Sequence, residues 1–138
     1  MTASFLSPQR PLDRFPAVRT RSVEQLQQFY DANYATPKLE LEDDGSLFSA
    51  KLNSCKLTEI ALNYASYNAA LRMVLPNPNS FMQFFFVHGN GEVVVGNTVA
   101  PIQPSAVKVT MPTERPVGQI GANHEVIYSR KTGVVCIP

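Results

Sequence analysis

The sequence predicts a mainly β protein, a small antiparallel barrel or jelly roll with one amphipathic helix at its front. Three observations carry this. From Leu39 onward apolar residues alternate with polar ones or gather in short runs rich in Phe and Val, which fit a pleated, half-buried surface. Pro101, Pro104, Pro112 and Pro116 cut the C-terminal part into pieces too short and too rigid for helices. Helical spacing appears at the front of the chain, beginning at Ser22.

Taken in order, residues 1–21 read as an irregular arm. They contain Pro8, Pro11 and Pro16, and Arg10, Arg14, Arg19 and Arg21 against Asp13, as in a solvated leader. Ser22 and Gln25 have capping-box spacing, and Val23, Leu26, Phe29, Tyr30 and Tyr34 then form one stripe. This predicts a helix from Ser22 to about Ala35 that packs its aromatic stripe against a sheet and stops before Pro37. Leu39–Leu41 and Leu47–Asn53, around the turn-forming Asp43-Asp44-Gly45-Ser46, predict a first hairpin.

Leu57–Ser66 and Ala69–Leu75 read as two further strands joined around Tyr67-Asn68, followed by a loop at Pro76-Asn77-Pro78-Asn79. Phe81 to Val95 reads as a hairpin turning at Gly89-Asn90-Gly91. Phe81, Gln83, Phe85 and Val87 fall on one face of its first strand, and Met82, Phe84, Phe86 and His88 on the other. Both faces are apolar, so this strand is expected to be covered on both sides. Short strands follow at Asn97–Ile102, Ala106–Met111, Val117–Ile120, Glu125–Arg130 and Gly133–Ile137, the last two joined by Lys131-Thr132.

Composition narrows the function classes. The 138 residues suit one domain, 44% of them are hydrophobic, and no apolar run approaches the ~20 residues that cross a bilayer. A soluble, cytoplasmic protein without a membrane partner is the expectation. Net charge is +1 and no Lys/Arg cluster follows residue 21, so the chain alone should bind DNA poorly. Cys55 and Cys136 lie in apolar strand-like runs without a metal or redox spacing and read as buried reduced thiols.

Chemistry-bearing motifs are sparse. His88 and His124 have no closely spaced partners and make a weak metal signal. No nucleophile elbow, phosphate loop or dinucleotide fingerprint is present, because the glycines open no helix. The expectation is therefore no catalytic residue, no metal and no cofactor, in a protein that is not an enzyme. A ligand pocket needs apolar walls with a few convergent polar groups. The candidates are Tyr64, Arg72, Gln83, His88 and Lys108 among apolar strand neighbours, with Phe84 and Phe86 as wall. Arg72, between Leu71 and Met73, also suits a solvent-facing position.

The order of elements carries a resemblance. It runs through Arg21-Ser-Val-Glu-Gln-Leu-Gln-Gln-Phe-Tyr30, Leu47-Phe-Ser-Ala-Lys-Leu52, Leu57-Thr-Glu-Ile-Ala-Leu-Asn-Tyr64, Phe84-Phe-Phe-Val-His-Gly-Asn-Gly-Glu-Val93, Ala106-Val-Lys-Val-Thr-Met-Pro112 and Val134-Val-Cys-Ile-Pro138. From about Phe15 to Pro138 this resembles the AraC-binding-like N-terminal domain of AraC-type transcriptional regulators. Such domains are cupin barrels that sense a small effector and dimerise, joined to a C-terminal domain of two helix-turn-helix motifs. The chain stops at the last strand. The resemblance therefore implies an isolated sensor domain over residues 22–138, a small-molecule effector, a homodimer, and contact with DNA only through the absent C-terminal domain. In this family, helices after the barrel often form the dimer interface, so its dimerisation is in question. Two alternatives are a small cupin-like metal-dependent enzyme using His88 or His124, and an interaction module with no small ligand.

Overall fold

The computed structural model describes residues 10–33, 38–42, 47–74, 82–110 and 115–131. Within these, one helix and eleven strands form two antiparallel sheets packed face to face. Strand β1 (Pro16–Thr20) precedes helix α1 (Val23–Asn33) and is followed by β2 (Lys38–Leu41), β3 (Ala50–Lys56), β4 (Ile60–Tyr67) and β5 (Leu71–Val74). Then come β6 (Met82–His88), β7 (Gly91–Val95), β8 (Thr98–Ile102), β9 (Val107–Thr110), β10 (Val117–Ile120) and β11 (His124–Lys131). One sheet has the order β1-β3-β4-β11-β6-β9 and the other β2-β5-β10-β7-β8. No helix among the described residues is long and apolar enough to cross a membrane.

The expected β architecture holds, but its pairing differs from the meander read from local turns. Strand β4 pairs with β11, and its successor β5 pairs with β10; β6 pairs with β11, and its successor β7 pairs with β10. Paired ribbons thus cross from one sheet to the other at a shared corner. The Gly89-Asn90-Gly91 segment is one such corner and not the turn of a β6–β7 hairpin. The expected hairpin of Leu39–Leu41 with Leu47–Asn53 is likewise split, β2 pairing with β5 and β3 with β1 and β4. Tyr67-Asn68 also leads into the other sheet. Short-range turn chemistry identifies where the chain bends, whereas the burial of a whole face decides which strand it bends toward. The local hairpins among the described strands are β3–β4 and β7–β8.

The corner is closed by direct contacts. Gly121 N donates to the Asn90 carbonyl at 2.8 Å, and a Cβ on Gly121 would stand 2.2 Å from Asn90 Oδ1. At Gly91, with φ +145°, a Cβ would come within 2.1 Å of the Gln119 carbonyl, so the two crossing ribbons touch through glycine. Asn68 ties a third crossing, accepting from Ser49 N and donating to the Leu47 carbonyl.

The expected irregular arm needs correction at residues 16–20. They form edge strand β1, with Val18 opposite Leu52 and packed on the core. The apolar Val18 gains burial by facing inward, and this contact outweighs the local flexibility suggested by the prolines. The helix starts as expected, Gln25 N reaching Ser22 Oγ at 3.3 Å. The reciprocal half of the capping box is replaced: Thr20 Oγ1 accepts from Ser22 N and donates to Gln25 Oε1. Leu26 and Tyr30 are buried, with Val23 and Phe29 beside them, so the stripe packs on the barrel. Tyr34, Phe81, the turn at 43–46, the loop at 76–79, the strand at 133–137 and Cys136 lie outside the described residues.

Strand alternation fixes the two faces of each sheet. In the core Phe48, Leu52, Ala65, Tyr67, Leu71, Phe86, Ile102, Ile120, Val126 and Tyr128 meet. The expectation that β6 is covered on both sides fails, since Gln83 and Phe85 on its outer face are exposed. Cys55 is partly exposed and free, not buried.

Candidate functional site

Aromatic residues from several strands and α1 meet inside the barrel, just within the corner. Phe84 and Phe86 project inward from β6 with parallel rings, and Phe84 leans on Tyr128 of β11, ring centroids 5.9 Å apart. Phe86 packs against His124, which stacks on Tyr67 of β4. Helix α1 adds Tyr30, whose hydroxyl meets that of Tyr67 at 2.5 Å. Burial first, and then the neighbouring Tyr128 and Tyr67, raise the Tyr30 hydroxyl well above its ordinary range. The cluster is thus built of phenol hydroxyls, a group type that can both donate and accept.

His124 completes this arc. It is 1% exposed, and its Nδ1 is buried without a hydrogen-bond partner among the described residues. Burial lowers its pKa to about 4, against an upward pull from Glu125 and a downward one from His88. The ring is neutral near pH 7. Buried polar atoms are nearly always paired, so this imidazole nitrogen, which lies close to Gly89 at the corner, is a surplus of polar capacity in an apolar surrounding. Deeper along β4, Asn63 is also buried and accepts from Ser54 Oγ at 2.8 Å.

The structure divides the residues chosen from the sequence. Phe84 and Phe86 belong to the interior arc. Lys108 lies opposite Phe84 in the β6–β9 register, at the edge of that interior face. Tyr64 lies on the outer face instead, yet is 1% exposed, and donates to Glu125 Oε1 at 2.5 Å. Burial and that hydrogen bond push its pKa up to about 12. Arg72 faces outward from β5 and pairs with Glu40 at 3.7 Å. Gln83 is exposed on the outside of β6. His88, at the corner, is exposed and donates from Nδ1 to the Asn123 carbonyl at 2.8 Å.

Tyr30, Tyr67 and Tyr128, which this arc depends on, were absent from the sequence-derived set. Tyr30 was legible only as part of a packing stripe and Tyr67 only as a turn. The available signal was parity: Val126 and Tyr128 alternate with Glu125, Ile127 and Ser129, which marks Tyr128 as inward with Val126.

No protein-family model matches the sequence, and no curated protein does. Solved structures do. The chain is similar to the AraC-like transcriptional activator CuxR, with a TM-score of 0.68 and 10% identity over 81% of this chain and 45% of that one. It is similar to an ectoine synthase from P. lautus, with a TM-score of 0.54 and 16% identity over 59% of this chain and 63% of that one. A third likeness is to the Cnp3 cupin domain of Schizosaccharomyces pombe, with a TM-score of 0.52 and 19% identity over 68% and 69% of the two chains. The chain thus spans less than two-thirds of the synthase and less than half of CuxR.

These likenesses correct one expectation. The chain was expected not to be an enzyme, yet a barrel of this fold is shared with a synthase, so the fold excludes neither catalysis nor regulation. A cupin-type metal does not fit the described residues: no three His, Cys, Asp or Glu side chains among them are grouped to hold one. His88 turns to a backbone carbonyl and His124 is packed between rings. The fold itself is that of a cupin: a jelly-roll barrel of two antiparallel sheets with an amphipathic helix near its N-terminus.

Proposed function

We propose that this chain is a ligand-binding cupin domain that serves as the effector-sensing part of an AraC-type regulator. The observation that carries ligand binding is the buried Nδ1 of His124, which has no hydrogen-bond partner among the described residues, in an interior that also holds a cluster of phenol hydroxyls. The hydroxyls of Tyr30, Tyr67 and Tyr128 and the His124 imidazole stand among Phe84, Phe86 and Val126. Apolar walls with a few convergent donors and acceptors suit an uncharged polar or aromatic molecule. The regulator half is supported by the likeness to CuxR over 81% of the chain, together with the order of elements.

Sensing follows from the placement of Tyr30. A ligand that prefers one arrangement of the hydroxyl cluster shifts the equilibrium between arrangements of α1. Gln27, on the same helix, accepts from Leu39 N at 3.1 Å, so a displacement of α1 is felt at β2. Thermal-shift screening of the chain against small neutral aromatic and polar compounds tests the first half, because a ligand of the folded state raises the melting temperature. Hits are expected to bind Tyr67→Phe about tenfold more weakly, the worth of one hydrogen bond. The reading fails if no compound stabilises the chain, or if hits bind Tyr67→Phe and His124→Leu as tightly as the parent. For the regulator half, the full-length gene product should bind DNA with an affinity that the same compound changes; an unchanged affinity overturns it.

A further inference from the structure

Charge is divided unevenly between the two sides of the barrel wall. The acids on the described strands are Glu40, Glu92 and Glu125, and all three alternate with core residues and so face outward. Glu40 lies between Leu39 and Leu41, Glu92 precedes Val93, and Glu125 lies between His124 and Val126. Lys108 has the opposite placement. Its neighbours Val107 and Val109 are 54% and 44% exposed, whereas Ala106, two residues before it, packs against the core. Lys108 shares the inward parity of Ala106, is half-buried, and stands opposite the inward Phe84.

Cross-strand register sets Lys108 at the end of one interior row. Ser54, Asn63, Tyr128, Phe84 and Lys108 follow one another across β3, β4, β11, β6 and β9. The row opens with Ser54 Oγ donating to Asn63 Oδ1 at 2.8 Å, continues in the rings of Tyr128 and Phe84, and ends in the ammonium. No carboxylate among the described residues forms an ion pair with Lys108. A half-buried ammonium in a wall whose acids all face away is an unbalanced positive charge beside apolar rings. We propose that Lys108 takes the carboxylate of a small aromatic acid whose ring lies against Phe84 and Phe86. One ammonium balances one negative charge, so a monoanion suits it, whereas a phosphate dianion would be left half-neutralised in an apolar surrounding. This assignment rests on the ligand-binding reading above and narrows it: the body of the molecule is the uncharged aromatic part, and an acid group closes one end.

Matched pairs that differ only in the acid group, benzoate with benzamide and phenylacetate with phenylacetamide, test this by their effect on the melting temperature of the chain at pH 7.5. Each acid is expected to bind about tenfold more tightly than its amide, the worth of a charge-assisted hydrogen bond. Lys108→Gln should bring the acid down to the level of the amide, Lys108→Arg should keep the preference, and Lys108→Glu should reverse it, with circular dichroism establishing that each variant folds. An inward charge on an edge strand also guards that edge against pairing. Lys108→Glu retains a charge there, so a role confined to guarding the edge predicts an unchanged ligand preference, and that result overturns the proposal. Amides that stabilise the chain as well as their acids do overturn it and leave the ligand-binding reading standing, as does a preference for acids that survives Lys108→Gln. Failure of both members of every pair to stabilise the chain at millimolar concentration overturns it too, and counts against ligand binding altogether.

Discussion

The two faces of β11 hold neighbouring polar residues in opposite states. Inside, His124 has a buried Nδ1 with no hydrogen-bond partner among the described residues. Outside, Glu125 Oε1 accepts from both Tyr64 Oη at 2.5 Å and Arg10 Nη1 at 3.2 Å. Around that carboxylate Asn53 is equally satisfied, donating to the Pro11 carbonyl and accepting from Arg19. The outer network ties residues 10–15 to the sheet. The inner group has capacity and no use for it in folding. A fully paired polar cluster is explained by the fold, whereas a costly unpaired one points to a ligand.

Acid should give the largest effect and acts on the inner face. The unfolded imidazole titrates near 6.5 and the folded one near 4, because burial disfavours its charged form. Between these values only the unfolded chain binds the proton. This contribution to stability is therefore whole above pH 6.5, declines as the pH falls toward 4, and levels off below. The full span is at most about 3 kcal/mol. Melting temperatures from pH 7.5 to 4 should fall more steeply for the parent than for His124→Leu; equal slopes would show that His124 is not held neutral.

Removing the polar group from each face should then separate them at neutral pH. Glu125→Ala leaves the Tyr64 hydroxyl without its acceptor on a residue that is 1% exposed, at a cost of about 2 kcal/mol. His124→Leu removes an unpaired nitrogen and leaves an apolar side chain among rings, so its stability should stay within about 1 kcal/mol of the parent. Urea denaturation reads both. An inner substitution as costly as the outer one would erase the contrast and count against a ligand site.

How much of this was legible in the sequence follows from the range of the signals. Two-residue alternation gave nearly every described strand, and the Ser22 cap and aromatic stripe gave α1. Both are local. Strand β1 was hidden because Pro16 and the surrounding arginines read as leader, while its value lies in Val18 meeting Leu52, 34 positions away. The Gly89-Asn90-Gly91 bend was legible as a bend, but a hairpin and a corner use the same glycines. Their difference lies in Gly121 and Gln119, which come near only once β10 and β11 are in place. The site divided in the same way. Phe84 and Phe86 stood out because a run of three phenylalanines is visible by itself, and both rings pack on the core. Tyr64 is buried although strand parity turns it to the outer face, and no pattern within β4 distinguishes a covered outer face from a barrel interior.

The smallest effect expected is at the rim of the outer network. Arg10 is the charged end of the Arg10–Glu125–Tyr64 chain, yet its side chain is 53% exposed while that of Glu125 is 18% exposed. Water and salt therefore screen the ion pair, and side-chain entropy opposes it. Arg10→Ala should cost about 0.5 kcal/mol or less, and the difference should vanish in 1 M salt. Residues 10–15 would stay in place, because Asn53 holds the Pro11 carbonyl at 2.9 Å and Ser54 N holds the Phe15 carbonyl at 2.9 Å, neither through a charge. Amide exchange at Ser54 measures this directly. Protection equal to the parent's means that the segment is fastened by backbone bonds and the ion pair only decorates it; lost protection would make Arg10 the clasp, and the outer face of β11 would then owe its order to electrostatics.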